Sequence, residues 1–165
     1  MDSFDYLDYL KKNKISYDNT SLSFSDYKKR FIYDKIINRL NIIYGLRGTG
    51  KTTILFQKYL ETKNQKIYFN SDELKVLKLN LLELIEKTIY LFGDKTEIFI
   101  DEINSIEGWA DIIKIAYDKF PKVKFYITGS SAINLIESKK QLARRAVYYE
   151  LKPLSFREFI YINEG

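Results

Sequence analysis

The chain has 165 residues, of which 45% are hydrophobic and 30% are charged, and this balance is typical of a single globular domain. Because it contains neither cysteine nor histidine, disulfide bonds, thiol nucleophiles and imidazole or zinc chemistry are excluded. No apolar run is long enough to cross a bilayer and the first residues lack the basic start of a signal peptide, so we expect a cytoplasmic protein without membrane contact.

Two helices are predicted before the first strand. Residues 5–12 carry apolar and charged side chains at helical spacing, and residues 13–26 are polar enough to form a loop. A second helix is predicted to begin near Ser25. The residues expected on its apolar face are Phe31, Ile32, Ile36, Ile37 and Leu40.

Basic residues are frequent near the N-terminus and the net charge is +5. Lys11, Lys12 and Lys14 form one cluster, and residues 28–30 form another. These side chains could contact the phosphates of DNA or RNA, but solvent-exposed helix faces are the more common place for them. Contact with DNA or RNA is therefore the alternative to a solvated helix face.

A phosphate-binding pattern follows the apolar residues 41–44. Residues 45–52 read Gly-Leu-Arg-Gly-Thr-Gly-Lys-Thr, which fits the P-loop pattern at every position. Glycines let the backbone bend around phosphates so that N–H groups face the anion, while Lys51 adds charge and Thr52 offers a hydroxyl to Mg²⁺. The alternative is a glycine-rich turn that fits by chance. The predicted cofactor-binding residues are Gly45, Leu46, Arg47, Gly48, Thr49, Gly50, Lys51, Thr52 and Thr53.

Two carboxylates end a later strand. Residues 66–70 are predicted to form one strand, residues 72–91 a packing helix that need not be continuous, and residues 96–102 the next strand. Asp101 and Glu102 close this strand, as in a Walker B segment, where the first acid serves Mg²⁺ and the second activates water. Solvent-exposed acids at a strand end are the alternative.

Hydroxyl groups end the following strand. Residues 107–120 are predicted to form a helix, and the strand over residues 123–127 leads into Thr128 and Ser130. Either hydroxyl could sense a γ-phosphate or position water, because the carboxyl ends of parallel strands share one edge. Alternatively, Ser130 or Ser131 only caps the next helix.

Two arginines, Arg144 and Arg145, precede the last predicted strand at residues 146–151. A guanidinium here could stabilise the phosphates bound by another subunit, although surface charge is the more common role of such a pair. A further helix is predicted over residues 156–162. The alternation of strands and helices predicts an α/β fold with a parallel sheet covered by helices on both faces.

The sequence resembles the AAA+ superfamily, and more narrowly its prokaryotic and archaeal ATPases that carry a C-terminal winged-helix region and a further domain. The similarity rests on four runs: residues 50–52, 100–102, 128–131 and 145–159. It implies five strands in the order 5-1-4-3-2, with residues 1–27 before the ATPase core, the core over residues 28–152, and the start of a truncated lid or following region at residues 153–165. The chain would then be a fragment or a minimal relative.

The resemblance also implies residue roles and ligands. Lys51 and Thr52 would bind the phosphates and Mg²⁺ of ATP, Asp101 would serve the metal, and Glu102 would activate water. Two choices stay open: the sensor is Thr128 or Ser130, and the arginine finger acting in trans is Arg145 or, less favourably, Arg144. Asn70 would be a polar partner of the catalytic glutamate.

The function expected from the sequence is ATP binding and Mg²⁺-dependent hydrolysis to ADP, by a core that acts in a homo-oligomer to drive conformational change in attached domains or partners. The alternative is a nucleotide-binding regulatory module, or a nucleic-acid-binding module, without significant hydrolysis.

Overall fold

A five-stranded parallel sheet organises the computed structural model, which describes residues 1–12, 23–130 and 134–164. The strands are β1 Leu40–Gly45, β2 Lys66–Asn70, β3 Glu97–Asp101, β4 Lys124–Ser130 and β5 Val147–Glu150. Their order is β2-β3-β4-β1-β5, which is the predicted 5-1-4-3-2 order viewed from the opposite edge. The predicted fold class is therefore confirmed.

Helices connect the strands because parallel neighbours need a crossover, and a helix also precedes β1 and another follows β5. They are α1 Ser3–Lys12, α2 Lys51–Glu61, α3 Ser71–Val76, α4 Leu81–Phe92, α5 Trp109–Lys119, α6 Asn134–Gln141 and α7 Phe156–Asn163. Single 3₁₀ turns occupy Tyr33–Lys35 and Ile103–Ser105. None of the helices within the described residues is long and apolar enough to span a membrane.

Each face of the sheet has its own hydrophobic core, because side chains of a strand alternate between the two faces. In β3, Ile98 and Ile100 join one core with buried side chains of α1, α4 and α5. Phe99 points to the other face, where it stacks on Tyr126 with ring centroids 4.8 Å apart and joins the core that α2 covers. The central strands are thus buried on both faces, which fixes their register.

The second predicted helix is wrong. Residues 28–30 have no regular structure, a 3₁₀ turn covers Tyr33–Lys35, and Leu40 is the first residue of β1. The apolar positions do not share one stripe, because Ile36 packs on the α2 side of the sheet and Leu40 packs on the opposite side. Ile37, predicted for the same apolar face, is 68% exposed.

The predicted helix over residues 72–91 is present but interrupted. It consists of α3 and α4, and Lys78 between them has a left-handed φ of 54°. Asn80 begins α4 by accepting a hydrogen bond from the Glu83 N–H at 3.0 Å. Most of the loop predicted over residues 13–26, Lys14 of the first basic cluster, and Ser131, the alternative helix cap, lie outside the described residues.

The carboxyl ends of β1, β3 and β4 meet at one edge of the sheet. The register pairs Gly45 with Ser130, and Asn70 with Asp101. Gly45 must remain glycine because a Cβ there would lie 2.2 Å from the backbone oxygen of Leu151. This edge therefore brings the P-loop, the two acids and the Thr-Gly-Ser segment together.

Candidate functional site

The carboxylate of Asp101 is the centre of the candidate site. Thr52 Oγ1 lies 3.0 Å from Asp101 Oδ2, and the Tyr68 hydroxyl lies 3.2 Å from the same oxygen. Thr128 Oγ1 donates to the other carboxylate oxygen, Oδ1. Because these donors come from α2, β2 and β4, the carboxylate joins three elements around β3. Asp101 is only 5% exposed, so the hydroxyls replace most of the water around its charge.

The P-loop connects β1 to α2 and presents the start of that helix. Gly50 has a φ of 93°, a left-handed value that glycine adopts without strain, and Lys51 is the first helical residue. Lys51 is 4% exposed, and its Nζ donates to the carbonyl oxygens of Gly45 at 3.1 Å and Leu46 at 2.8 Å. The ammonium therefore lies across the loop that precedes it. The unpaired N–H groups of the first turn of α2 favour an anion at the same place.

Glu102 follows β3 in an unusual backbone conformation. Its φ of 53° and ψ of 49° are left-handed, which costs a non-glycine residue roughly 1–2 kcal/mol. The Glu102 N–H donates to Thr128 Oγ1 at 3.0 Å, and this hydroxyl in turn donates to Asp101. The two adjacent acids differ in exposure, since Asp101 is buried and Glu102 is half-buried.

The two candidate sensor residues have different surroundings. Thr128 is fully buried and uses its hydroxyl for both Asp101 and the Glu102 N–H. Ser130 is half-buried, and its backbone N–H donates to Asn104 Oδ1 at 2.9 Å. Both residues lie at the carboxyl edge of the sheet, where the acids lie; Thr128 is hydrogen-bonded to both acids, whereas the Ser130 N–H is hydrogen-bonded to Asn104.

Arg145 is not brought to this site. It precedes β5, and the pairing of Val147 with Asn41 places the start of β5 near the amino end of β1. Its guanidinium binds Asp118 with Nε and Nη2 at 2.8 and 2.9 Å, and this contact lowers the pKa of Asp118. Arg144 is exposed and has a left-handed φ of 67°. Both arginines lie at the edge opposite the P-loop of their own chain.

Asn70 lies beside Asp101 in the β2–β3 pairing. Its side-chain oxygen accepts hydrogen bonds from the N–H groups of Asp72 at 3.0 Å and Glu73 at 3.3 Å. Asn70 is therefore the N-cap of α3, and its predicted partnership with Glu102 stays a prediction.

Sequence reasoning missed three residues of this region. Tyr68 lies within the strand predicted over residues 66–70 but gave no signal that its hydroxyl contacts Asp101. Asn104 holds the end of β4 through Ser130. Arg30 belongs to the basic cluster for which exposed helix faces are the favoured place, yet its side chain is 11% exposed and its Nη1 donates to the Thr49 carbonyl oxygen at 2.9 Å.

A cavity of about 500 Å³ opens beside the P-loop. Phe24 and Tyr27 line one part of it, Leu154 and Ile162 another, and residues 46–50 form the boundary with the P-loop. The aromatic and aliphatic side chains give this cavity a partly apolar wall next to the predicted phosphate site.

The backbone strain at Glu102 gives a testable expectation. Glu102→Gly and Glu102→Ala both remove the carboxylate, but glycine adopts a left-handed φ freely. We expect the glycine variant to have the higher free energy of unfolding, by about 1 kcal/mol, in urea denaturation.

Glu86 provides the matched control because it lies within α4. At this helical position we expect the reverse result, with the Glu86→Ala variant more stable than the Glu86→Gly variant by about 1 kcal/mol. An alanine variant at Glu102 that equals or exceeds the glycine variant in stability would contradict the strained conformation.

Comparisons with known proteins agree with this geometry. A family model described as "AAA domain" matches residues 37–160. The uncharacterized protein MJ1637 of Methanocaldococcus jannaschii is 34% identical over 159 aligned positions, which cover 84% of this chain and 33% of that protein. MJ1544 of the same organism, also uncharacterized, is 34% identical over 131 positions, covering 76% of this chain and 29% of that protein. The chain thus spans about a third of the length of these relatives.

A solved structure shares the fold. The Walker-type ATPase PABY2304 of Pyrococcus abyssi superimposes with a TM-score of 0.58 at 16% identity, over 84% of this chain and 57% of that one. With the family match over most of the chain, the parallel sheet in this order and the P-loop at its carboxyl edge, the chain belongs to the AAA-domain family and has a P-loop, AAA+-like ATPase core.

Proposed function

We propose that this chain binds ATP with Mg²⁺ and hydrolyses it to ADP and phosphate. The observation that carries the proposal is the meeting of Thr52 and Asp101, whose side-chain oxygens approach to 3.0 Å between the P-loop helix and β3. A hydroxyl and a carboxylate are oxygen ligands of the kind that Mg²⁺ prefers, and in nucleotide sites this ion takes few ligands from the protein. Thr52 and Asp101 would hold the ion, which would neutralise charge on the phosphates when bound.

Lys51 and the first turn of α2 would bind the phosphates. The Lys51 ammonium already lies across the loop through its bonds to the carbonyl oxygens of Gly45 and Leu46. Charge-assisted hydrogen bonds from an ammonium to phosphate oxygens are stronger than bonds to neutral carbonyls. When ATP binds, Lys51 would exchange the two carbonyl oxygens for phosphate oxygens, and the stronger bonds would favour the nucleotide-bound form of the loop.

Glu102 would orient and deprotonate the attacking water. The water oxygen forms a bond to the γ-phosphorus, the bond from that phosphorus to the β–γ bridging oxygen breaks, and the proton passes to the Glu102 carboxylate. Thr128 would fix the two acids relative to each other, because its hydroxyl accepts a hydrogen bond from the Glu102 N–H and donates one to the Asp101 carboxylate. We assign contact with the γ-phosphate to Ser130, which lies beside Gly45 of the P-loop.

The nucleobase would occupy the cavity beside the P-loop. Its walls include Phe24, Tyr27 and Leu154, and it adjoins residues 46–50. A base can stack on aromatic rings and exclude water from aliphatic side chains, while its phosphates extend towards α2.

We propose that the ATPase core, residues 28–152, acts in a cytoplasmic homo-oligomer. In this arrangement Arg145 would complete the site of a neighbouring subunit, since its place at the sheet edge opposite its own P-loop keeps it from the site of its own chain. The Asp118 carboxylate would hold the guanidinium until the neighbour's phosphates compete for it.

A nucleic-acid-binding role has less support from the contacts. Lys28 Nζ donates to the carbonyl oxygens of Tyr161 at 2.8 Å and Glu164 at 2.5 Å, and Lys29 is paired with Glu61. Lys28 and Lys29 therefore already bind acceptors of this domain, which leaves less of the positive charge of residues 28–30 for the phosphates of a nucleic acid. The remaining alternative is a regulatory module that binds the nucleotide without hydrolysing it. Such a module would release no phosphate from ATP.

Two substitutions separate binding from hydrolysis. Lys51→Ala is expected to abolish ATP binding in calorimetry, because it removes the positive charge at the loop. Glu102→Gln is expected to bind ATP as the unmodified chain does and to release phosphate at least 100-fold more slowly, which is the usual scale of general base catalysis.

Lys122→Ala is the control, since this exposed lysine pairs with Asp94 at the surface and its loss should change neither binding nor phosphate release. Unchanged phosphate release by the Glu102→Gln protein would remove the assignment of Glu102.

The trans role of Arg145 predicts complementation between two inactive proteins. Arg145→Ala should slow phosphate release by about 10³-fold, as loss of an arginine finger does. Mixing it with the Glu102→Gln protein should partly restore release, because some interfaces then combine an intact Glu102 with an intact Arg145. If no mixing ratio raises phosphate release above that of either protein alone, Arg145 does not act in trans.

A further inference from the structure

Arg30 joins four separate parts of the chain through one guanidinium. Its Nε and Nη2 donate to the two carboxylate oxygens of Glu158 at 2.9 and 3.0 Å. Its Nη1 donates to the Thr49 carbonyl oxygen at 2.9 Å, and Nη2 also donates to the Lys152 carbonyl oxygen at 2.9 Å. One side chain thus connects the segment before β1 with the P-loop, the turn after β5 and α7.

The bond to Thr49 affects the orientation of a P-loop N–H group. A trans peptide unit is planar, with its C=O and N–H on opposite sides. When the Thr49 carbonyl faces Arg30, the N–H of Gly50 is therefore directed away from Arg30. The N–H groups of such a loop are the donors that face bound phosphates, so the direction of this one matters for anion binding.

Glu158 fixes the guanidinium itself. It is 8% exposed, its own N–H is bonded to Ser155 Oγ at 3.2 Å in the capping box of α7, and its carboxylate also accepts from the Phe31 N–H at 3.2 Å. The hydrogen bonds from Arg30 hold the pKa of this carboxyl below its usual range, so it is charged near neutral pH. A bidentate arginine–carboxylate pair restricts the plane of the guanidinium as well as its position.

We propose that Arg30 is a positioning residue for the P-loop, and that its pair with Glu158 makes the orientation of the Gly50 N–H depend on α7. This inference rests on the proposed binding of ATP by the P-loop. Lysine cannot replace Arg30, because a single ammonium on a flexible stem cannot span a carboxylate and two carbonyl oxygens in fixed directions.

The test is the ATP affinity of Arg30→Lys, Arg30→Ala and Glu158→Gln proteins, measured by calorimetry under conditions in which each protein is folded. We expect both Arg30 variants to bind ATP about tenfold more weakly, the scale of one misdirected hydrogen bond to a charged group. Glu158→Gln should lose less affinity, because the amide keeps one oxygen acceptor for the guanidinium.

Arg39→Ala is the matched control. Arg39 stacks on the Tyr117 ring, with its Cζ 3.3 Å from the centroid, and donates to the Tyr117 carbonyl oxygen. It directly precedes β1, at the edge opposite the P-loop, so its loss should leave ATP affinity unchanged. If Arg30 only stabilised the fold, its variants would also keep the ATP affinity of the unmodified chain and would lower only the free energy of unfolding.

The outcomes separate this inference from the proposed function. If the unmodified chain does not bind ATP, the proposed function is wrong and the inference is overturned with it. If the unmodified chain and Arg39→Ala bind ATP and the Arg30 variants bind it equally well, only the role of Arg30 is overturned. Should Arg30→Ala fail to fold, Arg30→Lys and Glu158→Gln decide the question by the same comparison.

Discussion

The site depends on one buried carboxylate that accepts hydrogen bonds from three hydroxyls. Asp101 is held by Thr52 of α2, Tyr68 of β2 and Thr128 of β4, so the helix that follows the P-loop and three neighbouring strands share one polar centre. A buried carboxylate without such partners would be costly, because its charge loses water. The same bonds that stabilise Asp101 therefore also fix the P-loop helix relative to the sheet.

Two further constraints surround this centre. Glu102 leaves β3 in a left-handed conformation, which lets adjacent acids occupy a buried and a half-buried position. Arg30 donates hydrogen bonds to both Glu158 and the Thr49 carbonyl oxygen, and so connects the P-loop to α7. Backbone strain at Glu102 and a nearly buried ion pair at Arg30 both cost stability unless the surrounding structure supports them. Both features lie beside the P-loop, where the proposed binding of ATP would make use of a fixed geometry.

Local patterns predicted the sheet and the three strand ends that meet at one of its edges, but they did not predict the long-range contacts. The P-loop, the Asp101–Glu102 strand end and the Thr128 strand end each have a signature within a few residues, and parallel topology brings them to one edge. The helix predicted from Ser25 failed because its apolar residues serve opposite faces of the sheet. The role of Arg30 depends on Glu158, which is 128 residues away and has no local signal.

The Mg²⁺ dependence of ATP affinity in the Asp101→Asn protein tests the role of Asp101 most directly. ATP binding is measured by calorimetry with Mg²⁺ and with a chelator, for this protein and the unmodified chain. If Asp101 holds the ion, Mg²⁺ tightens ATP binding to the unmodified chain by at least about tenfold, or about 1.4 kcal/mol, and tightens binding to the variant little. An equal effect of Mg²⁺ on both proteins, or none on the unmodified chain, would contradict the central role given to Asp101.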